Sequence, residues 1–146
     1  DDVNESQYRE FQMHALDLVS SMPKVKTIKR GDGVFGAKGD KLVDGVFEYN
    51  KKRFSVSAFV ASRGIFDEDF KEYLIDIGAE IKEKVFDFSI LLFNTKMDEE
   101  NIFMDMYNKA KKVIEKDIID KIILVSGSPE EVKAQLAKIL KGLKKK

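Results

Sequence analysis

Two stretches, FDFSILLFN at 86–94 and IIDKIILVSG at 118–127, are too continuously apolar to be strands with one wet face. Successive residues of a strand point to opposite faces, so runs of this kind must be covered on both sides. Between them the apolar residues recur at helical spacing over about 98–116, with Ile102, Phe103, Met106, Ala110, Val113 and Ile114 on one side. Strand, helix and strand with both strands buried make a parallel crossover, and that commits the chain to a layered α/β fold.

The remaining pattern extends this unit in both directions. Tyr8, Phe11, Ala15, Leu18, Val19 and Met22 recur at spacings of three and four, predicting a helix over about 4–22 with Asn4 as N-cap and Gln7 at N3. Pro23 stops it, and Val25 to Arg30 reads as a strand. Residues 41–49 and 52–60 read as a hairpin turning at Asn50 and Lys51, since asparagine tolerates the positive φ such turns demand. That turn sets Asp44 opposite Ser57, Val46 opposite Ser55 and Glu48 opposite Arg53.

After Gly64 the period becomes helical, with Phe70, Leu74, Ile77, Ile81 and Val85 on one face and Asp67 to Asp69 where a helix N-terminus favours negative charge. A capping box of Ser128, Pro129 and Glu131 opens the last helix, which turns Val132, Leu136, Ile139, Leu140 and Leu143 inward. The expected fold is an α/β domain in the order αβββαβαβα: a mixed sheet of about five strands with helices on both faces. One domain over 1–146 is expected, with the basic tail 141–146 frayed.

The chain has no cysteine and one histidine, His14, which excludes disulfides and thiol nucleophiles and leaves no zinc-binding set. No apolar run approaches the ~18 residues of a membrane span, and the start DDVNESQYRE lacks signal-peptide character. A soluble, cytoplasmic protein without a membrane partner is the expectation. Net charge is zero, yet residues 24–66 carry ten basic and four acidic groups, whereas residues 67–120 carry eight basic and fifteen acidic. Charge segregated in this way suggests a polyanionic partner.

The segment RGDGVFGAKGDKLVDG at 30–45 holds a G-x-G-x-x-G at Gly31, Gly33 and Gly36. A dinucleotide site needs a helix opening at the third glycine, whereas residues 37–49 read as loop and strand, so turns explain these glycines. The RGD tripeptide at Arg30 to Asp32 lacks the extracellular context that integrin-type recognition needs.

The run from Gly39 through Asp44 and Gly45 to Phe54-Ser55-Val56-Ser57, set between a helix and a helix with a buried strand, resembles the PD-(D/E)XK nuclease superfamily over roughly residues 4–94. The resemblance implies an αβββαβ core in which an aspartate on the second strand and a Glu-x-Lys on the third hold magnesium and polarise a phosphate. Asp44 matches the aspartate, and Ser55-Val56-Ser57 stands where Glu-x-Lys belongs. The implied function is a non-catalytic, DNA-binding type of module that contacts nucleic acid without a cofactor.

On that reading Lys41, Lys51, Lys52, Arg53 and Arg63 neutralise phosphates while Tyr49 and Phe59 offer stacking surfaces. Phe54, Val56, Ala58 and Val60 share the core-facing side, and Arg53 and Phe59 share the opposite one. One alternative is a magnesium-dependent phosphodiesterase with Asp44 and Glu48 catalytic and Asp44, Asp32 and Asp40 around the metal. Another is a protein-protein assembly domain, self-association included, that uses an exposed strand edge or the C-terminal helix. His14, with Asp17 three residues on, reads as a boundary histidine, and Ser126-Gly127-Ser128 as a helix cap.

Overall fold

Asn50 and Lys51 both take positive φ, 51° and 66°, and reverse the chain in two residues. Mirror-image turns of this kind match the twist of the strands they join, so the pairing register is set by the turn itself. The computed structural model describes residues 2–30, 43–59, 67–94 and 102–144, with 2–9, 67–69, 102–103 and 143–144 described by main chain alone. Its elements are α1 (Asp2–Ser20), β1 (Lys26–Arg30), β2 (Gly45–Tyr49), β3 (Lys52–Phe59), α2 (Asp67–Lys82), β4 (Phe88–Phe93), α3 (Ile102–Ala110), α4 (Lys116–Ile119), β5 (Ile122–Ser126) and α5 (Pro129–Lys144).

The five strands form one sheet in the order β1-β2-β3-β4-β5. β1 to β3 are antiparallel neighbours, and β3, β4 and β5 run parallel. This is the expected α/β architecture, a mixed sheet with helices on both faces. The hairpin pairs Val46 with Ser55, Phe47 with Phe54 and Glu48 with Arg53, as the turn length requires. Glu48 and Arg53 stand opposite each other in that register.

Alternation along β3 divides the core in two. Phe54, Val56 and Ala58 face α1 and α5 together with Phe47, Phe88, Ile90 and Leu92. On this side the rings of Phe47, Phe54 and Phe88 form a stack, with centroids 5.7 and 4.8 Å apart. The other face carries Val46, Leu91, Phe93 and Ile122 against Phe70, Leu74 and Ile77 of α2, Met106 and Ala110 of α3 and Ile118 and Ile119 of α4. Each side chain fully withdrawn from water here contributes roughly 1.5–3 kcal/mol, so the two-sided burial of β4 is the main cohesive term.

Helix ends follow local chemistry. After α1, Ser21 and Met22 donate to Asp17 and Val19 carbonyls, and Lys24 at φ 66° turns the chain past Pro23 into β1. α2 closes with Val85 N–H on the Glu80 carbonyl and Lys84 N–H on that of Ile81, a Schellman arrangement with Lys84 at φ 67° where glycine is usual. At α5 the Ser128 hydroxyl accepts from Glu131 N–H at 3.2 Å while Glu131 Oε1 accepts from Ser128 N–H at 2.9 Å. The expected capping box is present in full.

Three expectations are corrected. α1 begins at Asp2 and runs through Asn4, which is therefore not its cap. α3 ends at Ala110, leaving Val113 63% exposed instead of facing the sheet. Ile118 and Ile119 lie in α4 rather than in a strand, and β5 starts only at Ile122. A helix running straight to 116 would end about 9 Å beyond Ala110 along its axis and carry those isoleucines farther still. The reversal at 111–115 instead tucks both under α2, and Lys82 Nζ bonds Glu115 Oε1 at 2.7 Å across it. That bond and the Glu115 charge raise the Lys82 pKa above its ordinary value, so the lysine keeps its charge through neutral pH and its side of the contact is lost as pH rises past the lysine range.

No helix among the described residues is long and apolar enough to cross a membrane. Ser128→Ala removes the hydroxyl half of the cap and is expected to cost about 0.5–2 kcal/mol, read as a lower urea midpoint with an unchanged slope.

Candidate nucleic-acid interface

Asp44 sits just ahead of β2, where the ladder to β3 runs out. Its N–H donates to the Val56 carbonyl at 3.0 Å. One carboxylate oxygen accepts from Ala58 N–H at 2.8 Å and the other from Gln12 Nε2, on α1, at 2.6 Å. The carboxylate thus replaces the strand carbonyl that Ala58 would otherwise lack and ties α1 to the sheet. Next to it Gly45 leaves no room for a side chain, since a Cβ there would stand 2.7 Å from Leu16 Cδ2 and 2.8 Å from Phe47 Cε2.

Ser55 and Ser57 are closed over. Ser55 is fully buried and hydrogen-bonds Ser89 of β4 through the two hydroxyls at 2.7 Å. Ser57 hydrogen-bonds the Tyr73 hydroxyl of α2 at 2.6 Å. Among the described residues no buried side-chain nitrogen or oxygen lacks a partner. These positions are therefore an internally satisfied polar seam rather than the floor of an open cleft.

The carboxylate pair Asp44 and Glu48 does not converge. Four residues apart along an extended chain, they are separated by roughly 13 Å, far beyond the span of one magnesium ion. Among the described residues no group of three or more His, Asp or Glu is placed to hold a metal. Asp32 and Asp40 lie outside the described residues, as do Lys41 and Arg63 of the expected binding set and the glycine-rich stretch 31–42.

The two expected stacking surfaces are likewise corrected. Tyr49 is only 7% exposed, packed in the core on the α1 and α5 side. Phe59 stacks on Phe93 at 5.3 Å and meets Phe70 and Tyr73 edge-on, each at 5.2 Å. Both rings have spent their faces on the protein, because the hairpin is sandwiched between helix layers. His14 is exposed and lines an apolar cleft of about 230 Å³ with Phe11, Leu18, Leu92 and Val132.

The cations fare differently. Lys51, Lys52 and Arg53 are all exposed. Lys52 lines a cleft of about 290 Å³ together with Lys84 and Lys121, over a floor of Ile81, Phe86 and Phe88. Asp87 and Asp120 share this cleft, but both have partners: Asp87 accepts from the Arg53 N–H at 2.8 Å, and Asp120 holds Lys116 Nζ at 3.1 Å. Sequence reasoning missed Lys84 and Lys121. The signal was available, because parallel strands share one end and the residues leading into β3, β4 and β5 must gather there.

No protein-family model matches the chain, and no curated protein matches it. Among solved structures, SfsA of Pyrococcus furiosus, in complex with Ca2+, is similar over 84% of this chain with a TM-score of 0.46 and 10% identity; the chain spans 56% of that protein. A likeness at that level assigns neither a residue nor an activity.

Asp44→Asn turns an amide N–H₂ toward a donor that the carboxylate now satisfies. Chemical denaturation should show a loss of about 1–3 kcal/mol. Ser55→Glu, which places a charge in the fully buried seam, should cost more than Asp44→Asn in the same assay.

Proposed function

We propose that the chain is a non-catalytic binding module that contacts nucleic-acid phosphates through the cations at the hairpin end of its sheet. The observation that carries this reading is the gathering of Lys52, Lys84 and Lys121 on one cleft, where they outnumber the carboxylates of Asp87 and Asp120, with Lys51 and Arg53 exposed beside it. Phosphate contacts of this type supply affinity without sequence preference, and each releases a counterion. The partnered Asp44 and the sealed Ser55 and Ser57 support a role without catalysis.

Backbone conformation favours the same end of the molecule. Lys51 and Lys84 occupy positive φ, where glycine is less strained by roughly 1 kcal/mol. A lysine kept at such a position offers a charge at some cost in stability, a pattern that suits a contact surface.

Fluorescence anisotropy with labelled single-stranded and duplex oligonucleotides should give binding that weakens steeply between about 50 and 200 mM salt. Replacing Lys51, Lys52 and Arg53 together by glutamate should weaken it at least tenfold and flatten the salt slope. Lys84→Gly should raise the unfolding midpoint while lowering affinity, an opposed pair of effects that a passive surface lysine would not produce. Binding that is absent, or indifferent to salt and to these changes, would refute the proposal. Magnesium-dependent cleavage abolished by Asp44→Asn would assign a phosphodiesterase instead.

A further inference from the structure

The two edges of the sheet are built differently. β1 leaves Lys26, Thr27, Ile28 and Lys29 exposed, and its ladder to β2 shifts between Thr27 and Lys29. Lysines and a bulge are what keep an edge strand from recruiting another. β5, at the opposite edge, reads Ile-Ile-Leu-Val-Ser, with no charge and no proline, and its register with β4 is unbroken from Ser89↔Ile122 to Phe93↔Ser126.

Main-chain direction adds to this contrast. Ser89 N–H donates to the Lys121 carbonyl at 2.9 Å, so in the parallel ladder the odd-numbered residues of β5 bond β4. Ile122, Leu124 and Ser126 then turn their N–H and C=O groups outward. The Ser126 carbonyl accepts from Gln135 Nε2 at 2.7 Å; among the described residues nothing bonds the outward groups of Ile122 and Leu124.

We propose that this edge pairs with β5 of a second copy, antiparallel about a two-fold axis at Leu124, making one continuous sheet. Outward groups then meet in register: Leu124 faces its own counterpart, and Ile122 faces Ser126 of the second copy. The charges at the strand ends identify the occupant. Lys121 continues the alternation of Ile123 on the α5 side and comes opposite Gly127 of the second copy, which leaves Lys52 and Lys84 as the lysines of the hairpin-end cleft in the paired form. Over Gly127 lies the Glu131 carboxylate, whose Oε1 is 3.1 Å from where a Cβ of Gly127 would stand. The two-fold axis repeats this lysine-carboxylate approach at both ends of the new ladder, a complementarity that the chain supplies entirely from itself.

The chain contains no cysteine, so a single introduced thiol reports one contact. Leu124→Cys places two sulfur-bearing residues across the axis with Cα atoms about 5.5 Å apart, within disulfide range. Light scattering on the unmodified chain should give twice the 16.7 kDa protomer mass. Mild oxidation should cross-link Leu124→Cys and leave Ile28→Cys, on the β1 edge, uncross-linked. Glu131→Gln keeps the helix cap but drops the charge, and should weaken self-association roughly fivefold. A chain that stays monomeric up to about 100 μM, or one that cross-links through Ile28→Cys and not through Leu124→Cys, overturns the proposal.

Discussion

The turn at Asn50 and Lys51 is the constraint on which the other contacts depend. With both residues at positive φ the hairpin closes in two residues, and only one register is compatible with that closure. A slip of one residue would turn Phe54, Val56 and Ala58 toward α2 and send Ser55 and Ser57 into the aliphatic layer under α1. The cost would be borne by β4 as well, since β3 pairs residue for residue with it from Phe54↔Phe88 to Phe59↔Phe93. Two residues of unusual backbone geometry therefore specify which side chains meet across three strands.

The same register decides the chemistry available on the polar side of the hairpin. Ser55 lands beside Ser89 and Ser57 beneath Tyr73, so four hydroxyls satisfy one another in pairs inside a layer otherwise made of aromatic and aliphatic groups. Asp44 is absorbed in a comparable way, serving as a main-chain surrogate for Ala58 and an anchor for Gln12. A carboxylate held by two donors at the end of a ladder stabilises its surroundings and is poorly free to change partners. Burial thus commits these polar groups to partners inside the protein.

Charge is treated in the opposite manner. At the hairpin end the apolar layers taper off, and lysines from β3, from the end of α2 and from the turn before β5 project over Phe86 and Phe88 without being drawn into the core. Long flexible stems let an ammonium stay in water while its methylenes cover apolar surface. The sheet edges show the same division: β1 carries charge and a bulge, whereas β5 carries neither.

Much of the architecture was legible in the chain because it rests on local rules. Hydrophobic period identifies α1, α2, α5 and the buried strand β4; turn chemistry sets the hairpin register; and Ser128 with Glu131 marks the start of α5. What failed at this level failed for nonlocal reasons. Val113 fits the helical period yet lies in solvent, because α3 must stop at Ala110 for Ile118 and Ile119 to reach the core. Tyr49 and Phe59 read as exposed aromatics, yet helices from either side of the sheet cover them. Sequence by itself determined the layers and the pairing, since periodicity and turns depend on neighbours in the chain. Tertiary structure alone decided which polar groups are consumed inside the protein, because that depends on residues far apart in sequence meeting across the strands and the helices that cover them.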